Sequence, residues 1–266
     1  NQTITMSEEG SRLIVLDASD DETARGNLIY NLLTDPARGT LMQGAAGGWT
    51  YTPDVDFFGT DTFTWTATDL GDPDGSLTNA ATSNIATVTL NVININDAPV
   101  VEQVADQTAN EGSLLTVNLS AHEPDGNPII WSMVSGPAGA AINASSGLFT
   151  WTSADGDMDA AVTVRATDNG SPALFGERSF NVHVVNVAPV LTLNGAANAE
   201  GGVPYTLTYM VTDPGQDTIS QLLVNWGDGT VQTVTGNPGS LTHTYAAHDG
   251  TYDIRVTPTD EDGTYS

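Results

Sequence analysis

One layout of short strands and acidic turns occurs three times along this chain, and this repeat constrains the fold more than any other feature. A Glu-Gly pair opens each unit, at Glu9, Glu111 and Glu200. Each unit later carries an alternating strand that ends in Thr-Asp, at Asp69, Asp168 and Asp260. Three copies of one layout predict a tandem array of similar small domains.

The strands inside each unit are marked by alternation of apolar and polar residues with a period of two. Clear examples run over 62–66 and 86–92, and Gly, Pro, Asn and Asp separate such runs. We find no stretch with the period of an amphipathic helix. Short alternating strands bounded by turns are typical of β-sandwiches. The sequence therefore predicts an all-β fold of three tandem β-sandwich domains in an elongated array.

Two Ala-Pro-Val segments, at 98–100 and 188–190, predict the domain boundaries. Proline fixes φ and interrupts strand pairing, so each segment should form a short stiff hinge. The predicted domains are 1–97, 98–187 and 188–266. The first two units end in a strand that the third lacks, so we expect the last domain to be incomplete in a fragment of a longer protein. The alternative is that another segment or subunit supplies the missing strand.

The tryptophans are expected to lie in the cores of the sandwiches. They are Trp49, Trp65, Trp131, Trp151 and Trp226. For Trp49 and Trp226, an exposed platform that stacks on a sugar ring is the alternative.

Composition and charge exclude several classes of function. The chain has 33 acidic and 6 basic residues, and its formal net charge is −27. Such a chain lacks the basic surface by which proteins bind nucleic acid or anionic membranes. The absence of cysteine excludes disulfides and thiolate metal sites. No apolar run approaches the roughly 20 residues that cross a bilayer, so membrane insertion is not expected.

The acidic residues recur at equivalent turns of the repeat, at 20–22, 123–125 and 213–215. Like charges gathered at one end of a folded domain repel one another unless a cation neutralises them. Oxygen ligands without cysteine favour calcium, Ca²⁺, which takes about 6–8 oxygens. The alternative is an acidic surface adapted to a saline habitat, and we assign it to the acids outside these turns.

Several stretches resemble known repeat families. Segments 121–127 and 164–172 resemble the A-x-D-x-D-x-G-x-N and V-x-A-x-D-x-G-x-P motifs of cadherin repeats, and 94–99 is similar to the cadherin interdomain linker. Residues 48–63 resemble the cadherin-like repeats of bacterial surface adhesins. Segments 224–230 and 243–252 resemble a polycystic-kidney-disease (PKD) repeat. The resemblance implies Ig-like/cadherin-like sandwiches, of which the third is PKD-like.

The resemblance also implies a set of calcium ligands at each junction between domains. At junction one these are Glu9, Asp54, Asp56, Asn96, Asp97, Glu123, Asp125 and Asp168. At junction two they are Glu111, Asp155, Asp157, Asn186, Asp213 and Asp260. Val187 stands where the second linker should carry an acid, although Asp217 offers a substitute. We therefore expect junction two to bind calcium more weakly or not at all.

Other acidic segments receive other interpretations. Asp20, Glu22 and Asp69 would serve a preceding domain. The segments 72–75 and 260–263 are interpreted as ordinary turns, with peripheral cation sites as the alternative. The run 155–166 is not an EF-hand, because Ala160 and Ala166 stand where that loop needs Gly and Glu.

The sequence gives little support for catalysis. Histidines occur at 122, 183, 243 and 248, none in an H-E-x-x-H spacing, and no G-x-S-x-G elbow or Gly-rich phosphate loop is present. His243 is expected to be a packing residue. We therefore expect a protein that is not an enzyme.

The expected function is that of a calcium-rigidified extracellular segment of a larger bacterial protein, secreted or on the cell surface. It would be a stalk, an adhesin or a filament building block. The expected partners are calcium ions, neighbouring repeats of the same protein, further copies through self-assembly, and cell-surface or matrix glycans. One alternative is an accessory region of a secreted polysaccharide- or protein-degrading enzyme. Another is self-assembly through exposed strand edges.

Overall fold

The fold is described from a computed structural model of residues 1–21, 23–44, 48–71, 79–237, 239–247 and 249–265. Strands dominate these residues, and helix is limited to short 3₁₀ turns such as Arg25–Asn27. The predicted all-β fold is confirmed. The chain divides into two compact units. The first consists of Asn1–Ala98, Glu123–Asn127 and Asn169–Leu174, and the second of Pro99–His122, Pro128–Asp168 and Phe175–Ser266.

The first compact unit contains a sandwich of two sheets. Its strands are β1 (Gln2–Ser7), β2 (Arg12–Val15), β3 (Ile29–Thr34), β4 (Gly39–Gln43), β5 (Gly48–Pro53), β6 (Gly59–Thr68) and β7 (Ala86–Ile93). One sheet has the order β1-β7-β6-β3 and the other β2-β5-β4. The core between them includes the fully buried Ile14, Tyr51, Phe63 and Leu90. Phe63 and Leu90 come from the alternating runs predicted over 62–66 and 86–92.

The pairing of β1 with β7 is parallel, and it determines where the chain leaves the first core. Ile4 lies opposite Leu90, and Ser7 lies opposite Ile93. Side chains alternate along a strand, so Ile4 and Met6 face the core. The next side chain with that orientation belongs to Glu8, which is also buried.

The second sandwich lies in the second compact unit and repeats this arrangement. Its strands are β8 (Val100–Val101), β9 (Gln107–Asn110), β10 (Leu114–Asn118), β11 (Ala121–His122), β12 (Ile130–Ser135), β13 (Ala141–Ile142), β14 (Leu148–Thr152), β15 (Met158–Thr167) and β16 (Phe175–Val185). The sheets have the orders β12-β15-β16-β9, β10-β14-β13 and β11-β8. Strand β9 pairs in parallel with β16, as β1 does with β7. Phe149, Val162 and Val182 are fully buried in its core.

The third sandwich, also in the second compact unit, has two three-stranded sheets. Its strands are β17 (Val190–Gly195), β18 (Pro204–Thr212), β19 (Gln221–Asn225), β20 (Val231–Thr235), β21 (Ser240–Thr244) and β22 (Arg255–Thr259). The orders are β17-β18-β21 and β20-β19-β22, and an isolated bridge joins Thr259 to Thr264. Leu222, Val224 and Trp226 are fully buried in a core of their own. The exact domain boundaries and the incompleteness of the last domain stay predictions.

All five tryptophans are core residues, as predicted. Trp49 is 8% exposed and Trp226 is 0% exposed, so neither offers a platform for a sugar ring. His243 is a packing residue, because its ring stacks on Trp226 with centroids 4.8 Å apart. Its Nε2 also lies 2.8 Å from Asp228 Oδ2, within hydrogen-bond distance.

Asp61 is a buried carboxylate that hydrogen bonds satisfy completely. Its oxygens accept from the backbone N–H groups of Ala37, Arg38 and Thr62, each at 2.9 Å. The Tyr51 hydroxyl donates to it as well, at 3.0 Å. A buried charge with this many donors needs no metal ion.

We predict that Asp61→Ala destabilises the first sandwich by about 3 kcal/mol or more, because it leaves the buried Tyr51 hydroxyl and three partly buried N–H groups without their acceptor. Urea denaturation of the variant measures this loss. Asp35→Ala removes an exposed carboxylate nearby and should change the stability by less than about 0.5 kcal/mol. Equal losses in the two variants would contradict the assignment of Asp61 as a structural acceptor.

Candidate metal centres

Carboxylate oxygens gather at two places among the described residues. Glu8, Asp97 and Asp125 each offer an oxygen within 4.8 Å of the others, and we call this set cluster one. Cluster two consists of two sets with the same spacing that share Asp217. The first set is Glu111, Asp155, Asp217 and Asp262, and the second is Asp213, Asp217 and Asp260. Cluster one lies within the first compact unit and cluster two within the second.

Glu8 is held in cluster one by the parallel strand pair. Its N–H donates to the Ile93 carbonyl at 3.2 Å, continuing the β1–β7 ladder by one residue. Its Oε1 accepts the N–H of Ile95 at 2.6 Å. Its Oε2 is buried and has no hydrogen-bond partner. One oxygen of Glu8 is therefore fixed by the backbone and the other is free for a ligand.

Asp97 and Asp125 complete cluster one from two loops of the same unit. The Asp97 N–H donates to Asp125 Oδ2 at 2.7 Å. Burial raises the pKa values of Glu8 and Asp97, and the charges of neighbouring carboxylates, including Asp56, raise them as well. The three carboxylates therefore repel one another when all are ionised.

Amide side chains form a network beside cluster one. Glu123 Oε2 accepts the N–H of Asn127, while its Oε1 is buried without a partner. The Asn127 amide donates to Asn96 Oδ1 at 2.8 Å, and the Asn96 amide donates to the Pro172 carbonyl at 3.0 Å. These bonds hold the loop at 123–127 against the segment that follows β7.

Glu111 repeats the geometry of Glu8 in the second sandwich. Its N–H donates to the Val185 carbonyl at 3.1 Å, and its Oε1 accepts the N–H of Val187 at 2.8 Å. Its Oε2 is again buried without a partner, and the whole residue is 0% exposed. The parallel pairing of β9 with β16 thus places one free carboxylate oxygen at the end of the second core.

Cluster two collects further carboxylates from three loops. Asp260 Oδ1 accepts the N–H groups of Asp262 and Gly263 at 2.9 Å, and Asp213 Oδ1 accepts that of Gly215 at 3.4 Å. The buried oxygens that have no hydrogen-bond partner are Glu111 Oε2, Asp213 Oδ2, Asp217 Oδ1, Asp217 Oδ2 and Asp260 Oδ2. Buried acceptors are almost always satisfied in proteins, so this group requires an explanation.

Two glycines let the backbone approach Glu111 closely. A Cβ on Gly156 would lie 2.7 Å from Glu111 Oε2, and a Cβ on Gly215 would lie 2.8 Å from the same atom. The N–H of Gln216 donates to the Ala154 carbonyl at 2.6 Å, which joins the two loops. A side chain at either glycine would therefore crowd the Glu111 carboxylate.

Cluster two changes the proton affinity of its own members. Burial, followed by the charges of Glu111, Asp213, Glu261 and Asp262, raises the pKa of Asp217 to about 7. Burial also raises the pKa of Asp213. Two ionised carboxylates cannot donate hydrogen bonds to each other, so this pair needs a bound proton, a cation or a donor from outside the polypeptide.

Basic side chains do not neutralise either cluster within the described ranges. The ion pairs of arginine and histidine go to Asp17, Asp157, Asp159, Glu177, Asp228 and Asp253. Both clusters instead offer buried, negatively charged oxygen atoms. Calcium prefers such ligands and tolerates irregular geometry, so these residues fit a calcium ion.

The structure brings several of the expected ligands together. Cluster one contains Asp97 and Asp125, and cluster two contains Glu111, Asp155, Asp213 and Asp260. Asn96 and Glu123 belong to the network beside cluster one. The Asn186 amide donates to Asp262 Oδ2 at 2.6 Å and to the Tyr265 hydroxyl at 2.9 Å, so Asn186 borders cluster two.

Other expected ligands lie outside these sets of oxygens. Asp54 is exposed, and its charge acts on Tyr51. Asp56 is exposed too, with φ of 57°, although its charge acts on cluster one. Asp157 is 70% exposed and lies 3.8 Å from the Nε2 of His183. Asp168 is a buried residue of the second compact unit.

Glu8, rather than the expected Glu9, corresponds to Glu111. The Glu-Gly signal aligns Glu9 with Glu111, but Glu9 is exposed and Glu8 makes the equivalent backbone hydrogen bonds. The first unit has one more residue between the buried glutamate and the glycine. Alternation along Ile4 and Met6 was the signal that could identify Glu8, because it continues to that residue.

Asp217 and Asp262 have larger roles than the sequence indicates. Asp217 joins both sets of cluster two, although the sequence offers it only as a substitute ligand. The segment 260–263, interpreted as an ordinary turn, places Asp260 in one set and Asp262 in the other. Val187, whose side chain carries no ligand, contributes its backbone N–H to Glu111. The expectation that junction two binds calcium more weakly rests on the missing acid at Val187, and it does not take into account the carboxylates of Asp217 and Asp262.

The acids expected to serve a preceding domain have local partners. Asp20 Oδ1 accepts the N–H of Thr23 at 2.7 Å, and Asp69 Oδ1 accepts those of Gly71 and Ala81 at 2.8 and 2.9 Å. Glu22, the segment 72–75 and His248 lie outside the described residues.

Comparison with known proteins identifies the class of each domain. Residues 1–91 match the family model described as Bacterial Ig domain, residues 98–185 that of Putative Ig domain, and residues 186–266 that of PKD domain. The chain is therefore a tandem array of Ig-like and PKD-like β-sandwich domains, and no catalytic family is among the three.

Solved structures with a similar fold include extracellular repeats of cadherins. Mouse cadherin-23 EC22-24 matches with a TM-score of 0.51 and 24% identity, over 99% of this chain and 93% of that chain. Human CDH23 EC21-23 matches with a TM-score of 0.53 and 16% identity, over 99% and 95%. These likenesses concern the fold. A comparison with curated proteins gave no match.

Within the described ranges, no helix has the length and hydropathy that crossing a membrane would require.

We predict that, in the presence of a chelator, the second compact unit becomes less stable as the pH rises from 5 to 8. The pKa of Asp217 is near 7 in the fold and near 3.8 in the unfolded chain. Proton binding therefore stabilises the fold, and this contribution is lost as the pH rises through about 7. Melting temperatures measured across this range test the prediction.

Asp217→Asn should remove most of this pH dependence, because the amide cannot ionise. Asp249→Asn changes an exposed carboxylate of the same sandwich and should retain the dependence. A melting temperature that stays constant or rises over this pH range would show that the acids of cluster two do not repel one another.

Proposed function

We propose that this chain is a calcium-rigidified structural or adhesion segment of a larger, secreted or surface-exposed bacterial protein. In this function it is a stalk, an adhesin or a building block of a surface filament. The observation that carries the proposal is the group of buried carboxylate oxygens in cluster two that have no hydrogen-bond partner. A polypeptide retains such a group only where something outside the polypeptide satisfies it.

The chemistry of the ligands supports calcium over other metal ions. The chain has no cysteine, and the members of both clusters are carboxylates. Zinc would favour histidine or thiolate ligands, and magnesium usually keeps several waters and binds one or two carboxylates. Calcium accepts many carboxylate oxygens in flexible geometry. It is therefore the cation that best accounts for so many acids at one place.

The rigidifying effect follows from where the ligands lie along the chain. Cluster two draws oxygens from the end of β9, from the loop after β14, from the loop before β19 and from the turn after β22. A cation bound there ties four distant segments together. Without the cation the same segments carry repelling charges, so binding free energy becomes stability of the fold.

The two clusters should differ in their affinity for calcium. Cluster two has six carboxylates and cluster one has three, with Glu123 and Asp56 close by. Calcium affinity rises with the number of charged ligands. We therefore propose that cluster two binds calcium more tightly than cluster one, which reverses the order expected from the sequence.

The comparisons support an extracellular location for this function. Ig-like, cadherin and PKD domains are repeat modules of extracellular proteins, and the first domain matches a model described as Bacterial Ig domain. The absence of cysteine is compatible with any redox compartment. Neighbouring repeats of the same protein are the natural partners of such modules, whereas the adhesive partner is a matter for experiment.

We predict that calcium raises the melting temperature of this chain. At a calcium concentration of about 100 times the dissociation constant, one site contributes about 2.7 kcal/mol, or about 10 °C or more for a domain of this size. Scanning calorimetry in calcium and in chelator measures the shift. Small-angle scattering should show a narrower distribution of interatomic distances with calcium. If neither the melting temperature nor the scattering changes with calcium, the proposal is wrong.

We predict that Glu111→Gln changes the stability of the chain in opposite directions in chelator and in calcium. In chelator the variant should be as stable as the parent chain or more stable, because a buried repelling charge is gone. In calcium it should be less stable, because a ligand is gone. Glu102→Gln, at an exposed position of the same sandwich, is the control that should behave like the parent chain in both conditions.

Two adjacent glutamates provide a test for cluster one. We predict that Glu8→Gln weakens calcium binding there by at least the roughly 10–100-fold that loss of an outer-shell partner costs. Glu9→Gln should leave the affinity unchanged, because Glu9 is exposed. Isothermal titration calorimetry of both variants measures the difference. A larger effect at Glu9 would restore the assignment made from the Glu-Gly motif.

A further inference from the structure

Strand β22 of the third sandwich is half as long as its counterparts in the other two sandwiches. Both β6 and β15 contain ten residues, and each ends at the threonine of a Thr-Asp pair, as β22 does. Strand β22 contains five residues, and residues 250–254 before it lie in no strand. Counted back from the Thr-Asp pair, 250–254 correspond to residues 158–162 of β15.

The half that β22 lacks is the half that a closing strand pairs with in the second sandwich. Strand β12 pairs with β15 only over Thr163–Thr167, just as β19 pairs with the whole of β22. Residues 158–162 pair with β16 alone. Among the described residues, no strand occupies the position of β16 beside β22. Residues 250–254 therefore have no strand to pair with.

The far side of this position is unpaired as well. In the second sandwich, β9 precedes Glu111 and pairs in parallel with β16. The corresponding residues 196–199, which precede Glu200, are exposed and lie in no strand. The third sandwich therefore has an empty strand position with an unpaired segment on each side, and we call this position the strand gap.

One cavity of about 290 Å³ is lined by both unpaired segments of the strand gap. None of its twelve lining residues carries a charge, and six of them are alanine or glycine. Small side chains allow another backbone to approach closely. In the first two sandwiches the closing strand buries apolar side chains at this position, namely Val88, Leu90, Val92, Phe180, Val182 and Val184.

The chain turns towards the strand gap after β22. Thr264 forms an antiparallel bridge with Thr259, and the Tyr265 N–H donates to the Pro258 carbonyl at 3.0 Å. Because β19 occupies the other edge of β22, these contacts lie on the edge that faces the gap. Alternate residues of a strand present their backbone groups to the same edge, so every second residue back from Pro258 faces the gap.

We propose that the strand gap is an acceptor site for one further β-strand, supplied by the polypeptide that continues from Tyr265. This strand runs antiparallel to β22 and parallel to residues 196–199. It gives β22 a second partner, as β6 and β15 have, and it covers an edge that would otherwise pair with other molecules. The inference needs no cation, so it is independent of the calcium function.

The bridge at Thr259 defines the register of the added strand. Ile254 and Tyr252 lie five and seven residues before Thr259, so they face the fifth and seventh residues after Thr264. Both Ile254 and Tyr252 pack against the core of the third sandwich. Paired residues on neighbouring strands share a face of the sheet, so the site takes a segment with apolar side chains at these two positions.

A synthetic peptide tests the acceptor site on the 266-residue chain. The probe has the sequence of Ser179–Val185 from β16, and its matched control carries Val182→Asp. We expect the probe to slow hydrogen exchange at the amides of Ile254 and Val256 by at least about tenfold, because these amides gain strand partners. The control peptide should leave their exchange unchanged.

An extended chain tests whether the strand comes from the same polypeptide. In this chain a copy of the sequence of Glu177–Val185 follows Tyr265 directly, which places the copied Phe180 and Val182 opposite Ile254 and Tyr252. We expect a monomer that melts at a higher temperature than the parent chain and protects the two amides without added peptide. The matched control carries Phe180→Asp and Val182→Asp in the copy alone and should show neither gain.

Three results would overturn the inference. The first is a probe peptide that does not protect the amides of Ile254 and Val256. The second is an extended chain that is no better protected than its control. The third is protection that appears only in a dimer, because a second copy then donates the strand. Both experiments work in chelator, so failure of the calcium function would not be mistaken for failure of the acceptor site.

Discussion

The buried glutamate that follows each parallel strand pair is the constraint on which the rest of both candidate centres depends. Glu8 and Glu111 extend the ladders β1–β7 and β9–β16 by one residue, and each uses one carboxylate oxygen to bind the backbone two residues beyond the partner strand. The other oxygen is left buried and free. The backbone therefore determines where the first negative charge lies, and the remaining acids gather around it.

The chain stabilises buried carboxylates in two different ways. Asp61 is surrounded by hydrogen-bond donors from its own sandwich, so its charge is satisfied by the polypeptide. Asp228, which is exposed, also has partners in His243 and the N–H of Thr230, and these hydrogen bonds lower its pKa to about 2. In cluster two, burial and then the charges of the surrounding carboxylates raise the pKa of Asp217 to about 7. The opposite shifts distinguish an acid held by donors from an acid that needs a proton or a cation.

The third sandwich supplies four of the six carboxylates of cluster two. It supplies Asp213 and Asp217 from the loop before β19 and Asp260 and Asp262 from the turn after β22. These residues take the place of the acid that Val187 does not provide. Because Asp217 belongs to both sets of cluster two, a change at this residue affects both at once. In the proposed function, proton binding and cation binding would compete for the same oxygens.

The sequence by itself determined the all-β class, the strands and the burial of the tryptophans. Period-two alternation reports which side of a strand faces the core, and each strand carries that information locally. The same alternation, continued from Ile4 and Met6, also predicts that the side chain of Glu8 faces the core. The sequence also indicated calcium as the cation to consider, since the recurring acids and missing cysteines are visible in composition and spacing.

Only the tertiary structure decided which acids lie together. Asp155, Asp217 and Asp262 come from loops far apart in sequence, and no periodicity relates their side chains. Asp157 is two residues from Asp155 and lies beside His183 instead. Loop side chains are oriented by local turns and by the packing of neighbouring loops, as at Gly156 and Gly215. A short sequence motif can therefore identify an acidic turn, but the tertiary fold determines which carboxylate of that turn belongs to the cluster.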